Sequence, residues 1–222
     1  MPARDETMTD EPPARLESLE GGEDGRRYSP SAGRNRQEIV DALACELPDR
    51  GVCLEVAAGT GEHAVLAAAR LPGWTWWPTD RDPEALASIR AWVAHAALPN
   101  LKAPVPLDLG GTWPCAPSSL DAVFASNLMH ISPIAVTAAL FRGAAEHLNA
   151  TGVLLIYGAV FLPGEPRPEG NATFDRELRE RDPVYGVRTL TELCELATGT
   201  GLEKPTVRRM SKNNVLLRFE RA

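Results

Sequence analysis

Residues 52–63 read Val52-Cys53-Leu54-Glu55-Val56-Ala57-Ala58-Gly59-Thr60-Gly61-Glu62-His63. An apolar run ends in two glycines one residue apart, and an alanine-rich helical stretch follows. This is the pattern of a strand, a tight turn and a helix, in which bare backbone N–H groups face whatever lies beyond the strand end. An acid, Asp80, stands nineteen residues after Gly61, where a second strand would end. Few other arrangements use such a unit, so the chain is expected to be α/β with a parallel sheet.

The rest of the chain extends that unit. A helix is expected over 31–47, with Ile39, Val40, Leu43 and Leu47 on one face. Further strands are expected at 52–56, 74–78, 103–107, 120–126 and 153–157, with helices at 63–70, 83–97, 133–148, 172–180 and 189–199 between or after them. Asp82-Pro83-Glu84 is a helix start, with Asp82 as cap and Pro83 in the first helical position. The strands lack polar alternation, which implies burial on both faces. Two terminal runs, 207–210 and 215–220, have only Asn213-Asn214 in the turn between them, which predicts an antiparallel hairpin at one edge. Residues 1–27 are rich in Pro, Gly and acids, with eight acidic and four basic side chains, and are expected to be a disordered acidic tail ahead of one domain over 28–222.

Charge and cysteine usage narrow the function. The net charge is −7, and no basic stripe is present to follow a phosphate backbone, which disfavours nucleic acid as a partner. The four cysteines, Cys45, Cys53, Cys115 and Cys194, have no metal-type spacing, and no metal constellation is expected. No apolar run is long enough for a membrane span, and the expected location is cytoplasmic.

The glycine spacing also suits a dinucleotide fold, so it does not choose the ligand by itself. Glu55 tips the reading, because an acid just ahead of the turn suits a cationic amine, such as the amino-acid end of S-adenosylmethionine (SAM). On this reading Ala57, Gly59 and Gly61 offer backbone to the cofactor. Asp80 accepts from the ribose hydroxyls, Asp108 from the adenine amino group, Leu109 supplies an apolar wall, and Asn127 closes the fourth strand. His130, in Asn127-Leu128-Met129-His130, is the only histidine at a strand end and is the candidate base. His63 is expected to support the glycine loop; His95 and His147 are expected at the surface, and Trp74, Trp76 and Trp77 as core filling.

Several runs outside the glycine loop carry a family resemblance: Ser29-Pro30-Ser31-Ala32-Gly33-Arg34-Asn35-Arg36, Trp76-Trp77-Pro78-Thr79-Asp80, Asn127-Leu128-Met129-His130-Ile131-Ser132-Pro133, Asn171-Ala172-Thr173-Phe174-Asp175 and Arg181-Asp182-Pro183-Val184-Tyr185-Gly186-Val187-Arg188. With these, residues 28–222 resemble a small family of class I SAM-dependent methyltransferase-like proteins, called methyltransferase-like protein 26 in animals. The resemblance implies a Rossmann-like class I methyltransferase fold: a mostly parallel seven-stranded sheet, helices on both faces and a C-terminal antiparallel hairpin strand, with SAM as cofactor. It supplies no acceptor. This chain departs from the family pattern at Ala57-Ala58-Gly59-Thr60-Gly61, at Met210-Ser211-Lys212-Asn213-Asn214 and at Arg167-Pro168-Glu169-Gly170.

The expected reaction is in-line methyl transfer to a small-molecule oxygen, nitrogen or sulfur nucleophile. Arg34, Asn35, Tyr157, Phe161, Asn171, Asp175, Arg188 and Asn214 are the candidate acceptor-binding residues, Arg188 being suited to a carboxylate if it points inward. A non-catalytic SAM-binding scaffold and an NAD(P)-dependent reductase are the alternatives, and a homodimer is left open.

Overall fold

A computed structural model describes residues 18–116 and 118–222. Eight strands form the main sheet, seven of them in the order β5-β4-β3-β6-β7-β10-β9, while β8 pairs with β7 off that path. The central strands are β3 (Gly51–Val56), β4 (Trp74–Asp80), β5 (Val105–Pro106), β6 (Leu120–Ser126) and β7 (Leu148–Phe161), all parallel to one another. The C-terminal pair β9 (Thr206–Arg209) and β10 (Asn214–Glu220) is the expected hairpin, and β10 runs antiparallel to both β7 and β9. The expected architecture is therefore present, with β8 (Arg188–Thr189) as an extra short strand.

Alternate residues of each central strand feed two apolar layers. Cys53, Trp74, Trp76, Phe124, Leu155 and Leu216 pack with Ile39, Val40 and Leu43 of α1 (Pro30–Glu46) and with Ala64 and Ala67 of α2 (Glu62–Arg70). Leu54, Val56, Val123, Leu154, Ile156 and Leu217 pack on the opposite face with Leu140, Phe141 and Ala144 of α4 (Ile134–His147) and with Leu193 and Ala197 of α6 (Leu190–Thr198). Burying both faces explains why the strands read as continuous apolar runs. The helix α3 (Pro83–Ala96) flanks β4, and α5 (Glu169–Arg181) sends Leu178 against Phe161, Tyr185 and Val187.

Three expectations need correction. Residues 1–17 of the expected tail lie outside the described residues, but 18–27 are not disordered: β1 (Glu20–Gly21) pairs antiparallel with β2 (Arg27–Tyr28). The hairpin is held by the Arg26 guanidinium over the Trp92 ring, by Trp92 Nε1 donating to the Arg27 carbonyl, and by an Arg27–Glu84 ion pair. The strand expected over 103–107 is a two-residue strand, because Leu101 bridges to Trp76 separately and the intervening segment leaves the sheet. His147 is buried rather than at the surface: its ring stacks on Trp113 at 5.0 Å and its Nδ1 lies 2.9 Å from the Gly143 carbonyl. No helix among the described residues is long and apolar enough to cross a membrane.

Candidate functional site

The glycine turn is built at the carboxyl end of β3. Ala57, Gly59 and Gly61 all have positive φ, at 52°, 58° and 93°. The left-handed backbone is cheap for glycine and costs a non-glycine residue about 1 kcal/mol, so Ala57 is held there by its surroundings. Ala58 N–H donates to the Thr79 carbonyl at 2.9 Å and Gly61 N–H to Ala58 at 3.0 Å, which ties the turn to β4. A Cβ on Gly61 would come within 3.1 Å of Ile89, so α3 packs directly under the loop. A Cβ on Gly59 would meet nothing within 4 Å, leaving open space in front of that residue.

Two buried acids face this turn. Asp80 Oδ2 accepts from Gly59 N–H at 2.9 Å, and Oδ1 accepts from Asp82 N–H at 2.9 Å. The carboxylate braces the loop, while Asp82 caps α3 as expected. Burial raises its pKa, and the main-chain N–H bonds pull against that. Glu55 is buried beside it and accepts from Trp76 Nε1 at 2.5 Å. Loss of hydration pushes the Glu55 carboxyl up to about 8, with the nearby Asp80 charge adding to the rise.

Glu62 and Ser88 were not singled out in the sequence, yet they join the loop to the N-terminal segment. Glu62 is buried at the start of α2 and accepts from Ser29 N–H, the Thr60 hydroxyl and Arg36 Nη1 at 2.7, 3.0 and 2.9 Å. Ser88 Oγ accepts from Arg27 N–H and donates to the Thr60 carbonyl at 2.8 Å. The acid directly after Gly61 was a signal for this brace; its partners, 26 and 33 residues away, were not visible.

Beyond Asp80, Leu107 N–H bonds the Asp80 carbonyl and brings Asp108 and Leu109 to the same edge. Asp108 is exposed and closes a turn onto Gly110 N–H, while Leu109 packs on the core. Asn127 ends β6 with φ 57°, bonds the Tyr157 carbonyl through its N–H, and so turns the chain toward His130.

His130 lies in a short 3-10 turn, Met129–Ile131, and is buried. Its Nδ1 has no hydrogen-bond partner among the described residues. A Cβ on Gly158 would lie 3.5 Å from that nitrogen and 3.6 Å from Asn127 Oδ1, so both polar atoms converge above β7. The Phe174 ring meets the imidazole edge at 5.1 Å. Burial, helped by the Arg188 charge, lowers its pKa to about 4, and the ring is neutral at neutral pH.

The acceptor candidates divide. Asn35 Oδ1 pairs with His63 Nε2 at 3.0 Å, Asn214 Nδ2 donates to the Tyr157 hydroxyl at 2.9 Å, and Asn171 Nδ2 donates to the Asn213 carbonyl at 2.9 Å. These bonds gather α1, α5 and the β9–β10 turn above the carboxyl edge, with Arg34 exposed on α1. Burial lowers the pKa of His63 to about 4. Arg188 is a correction: its Nε and Nη2 donate to the carbonyls of Met129, Ser132 and Val184, so it clamps the His130 turn instead of awaiting a carboxylate. Asp175 likewise accepts from Val187 N–H and pairs with Arg179. Phe161 is buried in the packing under α5, with the Arg167 guanidinium over its ring. These three act inside the fold because each is matched by partners that already satisfy or cover it.

Comparison with known proteins places this geometry. A family model described as "Protein of unknown function (DUF938)" matches residues 26–221. A 52-residue stretch is 44% identical to ribosomal RNA small subunit methyltransferase H of Synechococcus sp. (strain RCC307), and it makes up 23% of this chain and 17% of that protein. Among solved structures, the apo form of the S-adenosylmethionine-dependent methyltransferase SibL superposes with a TM-score of 0.72 at 17% identity, over 86% of this chain and 55% of its own. CalO1, a methyltransferase in calicheamicin biosynthesis with SAH bound, gives 0.71 at 22% identity, over 86% and 54%. The PH0226 protein of Pyrococcus horikoshii OT3 gives 0.68 at 14% identity, over 86% and 91%. The chain thus spans little more than half the length of the first two. At these identities the likeness shows the fold, which is the class I methyltransferase fold.

Proposed function

We propose a function from one premise: the chain belongs to the DUF938 family, described as a protein of unknown function. The function is SAM-dependent methyl transfer to a small-molecule oxygen, nitrogen or sulfur nucleophile. The finer kinship with methyltransferase-like protein 26 rests on the sequence runs outside the glycine loop and is part of this reading.

The observation that carries it is the cradle at Gly59. Open space in front of a left-handed glycine is bordered by Asp80 and lies at the end of the strand that carries Glu55, which fits a nucleoside with a cationic amino-acid tail. Gly59 and Gly61 give the nucleoside close access to backbone; Asp80 accepts from the ribose hydroxyls while still holding Gly59 N–H; Asp108 and Leu109 border the base; Glu55 meets the amine. When bound, SAM supplies a methyl group already activated on a sulfonium. The protein's remaining task is to orient the acceptor, and good orientation is worth roughly 7–11 kcal/mol of barrier.

His130 Nδ1 and Asn127 Oδ1 receive the acceptor's O–H or N–H above Gly158. A neutral imidazole with a free lone pair is ready to accept that bond, and takes the proton as the nucleophile becomes acidic on reaction. Burial makes it a weak base at rest, which suits a group that orients first and accepts a proton second. Tyr157, Asn35, Asn171 and Asn214 shape the rest of the acceptor's surroundings.

A thermal-shift series with SAM, S-adenosylhomocysteine and NADH tests the cofactor, since ligand that binds the native state raises its stability. Stabilisation by NADH and not by S-adenosylhomocysteine overturns the reading. Product S-adenosylhomocysteine is then measured over phenols, amines, thiols and small acids; binding without turnover of any class favours a scaffold. His130→Ala is expected to lower turnover by 100-fold or more while leaving S-adenosylhomocysteine affinity intact.

A further inference from the structure

We infer that Trp76 is a positioning residue of the cofactor site, its indole N–H holding the Glu55 carboxyl in the orientation from which it receives the cofactor's cationic amine. This rests on the SAM reading above.

Trp76 is wholly buried, packing with α1, α2 and Phe124. An indole brings a buried N–H that must find an acceptor. That acceptor is Glu55 Oε2, one strand away and two residues along, since Cys53 is the residue opposite Trp76 in the β3–β4 register. Both backbone groups of Trp76 are also pinned: its N–H donates to the Asn100 carbonyl at 2.8 Å, and its carbonyl accepts from Lys102 N–H at 2.9 Å. The ring is therefore a rigid post.

Only one Glu55 oxygen is engaged by that post. Oε1 carries no hydrogen bond among the described residues and remains for a ligand. A carboxyl held by one strong, fixed donor loses rotamer freedom before the ligand arrives, which is how a site gains affinity by preorganisation. Asp80 is the other acid bearing on Glu55, and it is already engaged by two main-chain N–H groups. The incoming amine therefore meets Glu55, and pairing with that cation draws the burial-raised pKa of its carboxyl back down.

The test compares two ligands that differ only in the tail. S-adenosylhomocysteine carries the amino-acid end, whereas 5′-methylthioadenosine keeps the base, ribose and thioether without it. Calorimetric titration is run on wild type, Trp76→Phe, Glu55→Gln and the double variant. Wild type is expected to favour S-adenosylhomocysteine. Trp76→Phe weakens it about tenfold, the scale of one charge-assisted hydrogen bond. It leaves methylthioadenosine unchanged, and the double variant matches Glu55→Gln. Equal loss on both ligands, no loss on either, or additive losses in the double variant overturns the inference. Should wild type bind neither ligand, the SAM reading itself fails and this inference with it. The Trp76 indole proton resonance gives a readout in unmodified protein: it should move on adding S-adenosylhomocysteine and stay on adding methylthioadenosine, and movement with both or with neither is the contrary result.

Discussion

The two halves of the site are built in different ways. The half proposed to hold the cofactor is nearly contiguous, the N–H groups of the turn over residues 55–62 bonding the Thr79 carbonyl and the Asp80 carboxylate. The half proposed to receive the acceptor is drawn together from residues 127–132, 157–158, 171–188 and 213–214 by side-chain bonds spanning 42 to 59 residues. A site held by backbone tolerates change in its neighbours. One held by distant side chains depends on each of them, so altered acceptor specificity is easiest to reach in the second half.

Substitutions can break this contrast. The largest effect is expected from Arg188→Met, which removes three hydrogen bonds from a buried cation to main-chain carbonyls and should cost about 3 kcal/mol of stability in urea unfolding. It should also raise the pKa of His130, seen by NMR titration of the ring, because the Arg188 charge depresses it. S-adenosylhomocysteine affinity should stay within about twofold if the halves are independent. Asp80→Ala is the converse: it frees Gly59 N–H and removes the proposed ribose acceptor, with an expected loss of about 100-fold in calorimetric S-adenosylhomocysteine affinity and no change in the His130 titration.

A pH series sharpens the comparison. Glu55 titrates at about 8 when folded against 4.5 when free, so the native state keeps a proton that the unfolded chain releases. The stability it contributes is complete below pH 4.5 and is lost as pH rises through 8. His63 and His130 sit at about 4 against 6.5, so their contribution is present above pH 6.5 and is lost as pH falls toward 4. Between pH 6.5 and 8 only Glu55 of the three acts, and the ligand-free protein should lose about 1.5 kcal/mol in urea melts. Glu55→Gln should abolish that decline. The smallest effect is expected from Ser88→Ala, about 1 kcal/mol, with faster amide exchange in residues 20–28 as the check, since Ser88 joins that hairpin to the loop.

How far the site could be read from residues alone follows the same division. The glycine turn, Asp80 and the βα order were legible because strand, turn and helix use neighbouring residues with distinct periodicities. The hairpin at 20–28 was not, since two-residue strands carry no period and its acids and glycines look like a solvated tail. Arg188 looked like a ligand for a carboxylate because residue type does not reveal direction; the fold turns it onto three carbonyls. Trp76 was read correctly as core, but its N–H partner lies on another strand, and pairing register is not written in either strand.

By itself, then, the order of residues determined a parallel sheet with a glycine turn at the end of β3, because backbone geometry and hydrophobic period are local properties. Tertiary structure decided which buried polar groups satisfy one another: Glu55 with Trp76, Arg188 with the His130 turn, Glu62 with Ser29 and Arg36. The physical reason is the cost of leaving a buried donor or charge unpaired. That cost is met only when strands and helices far apart in the chain have been packed side by side.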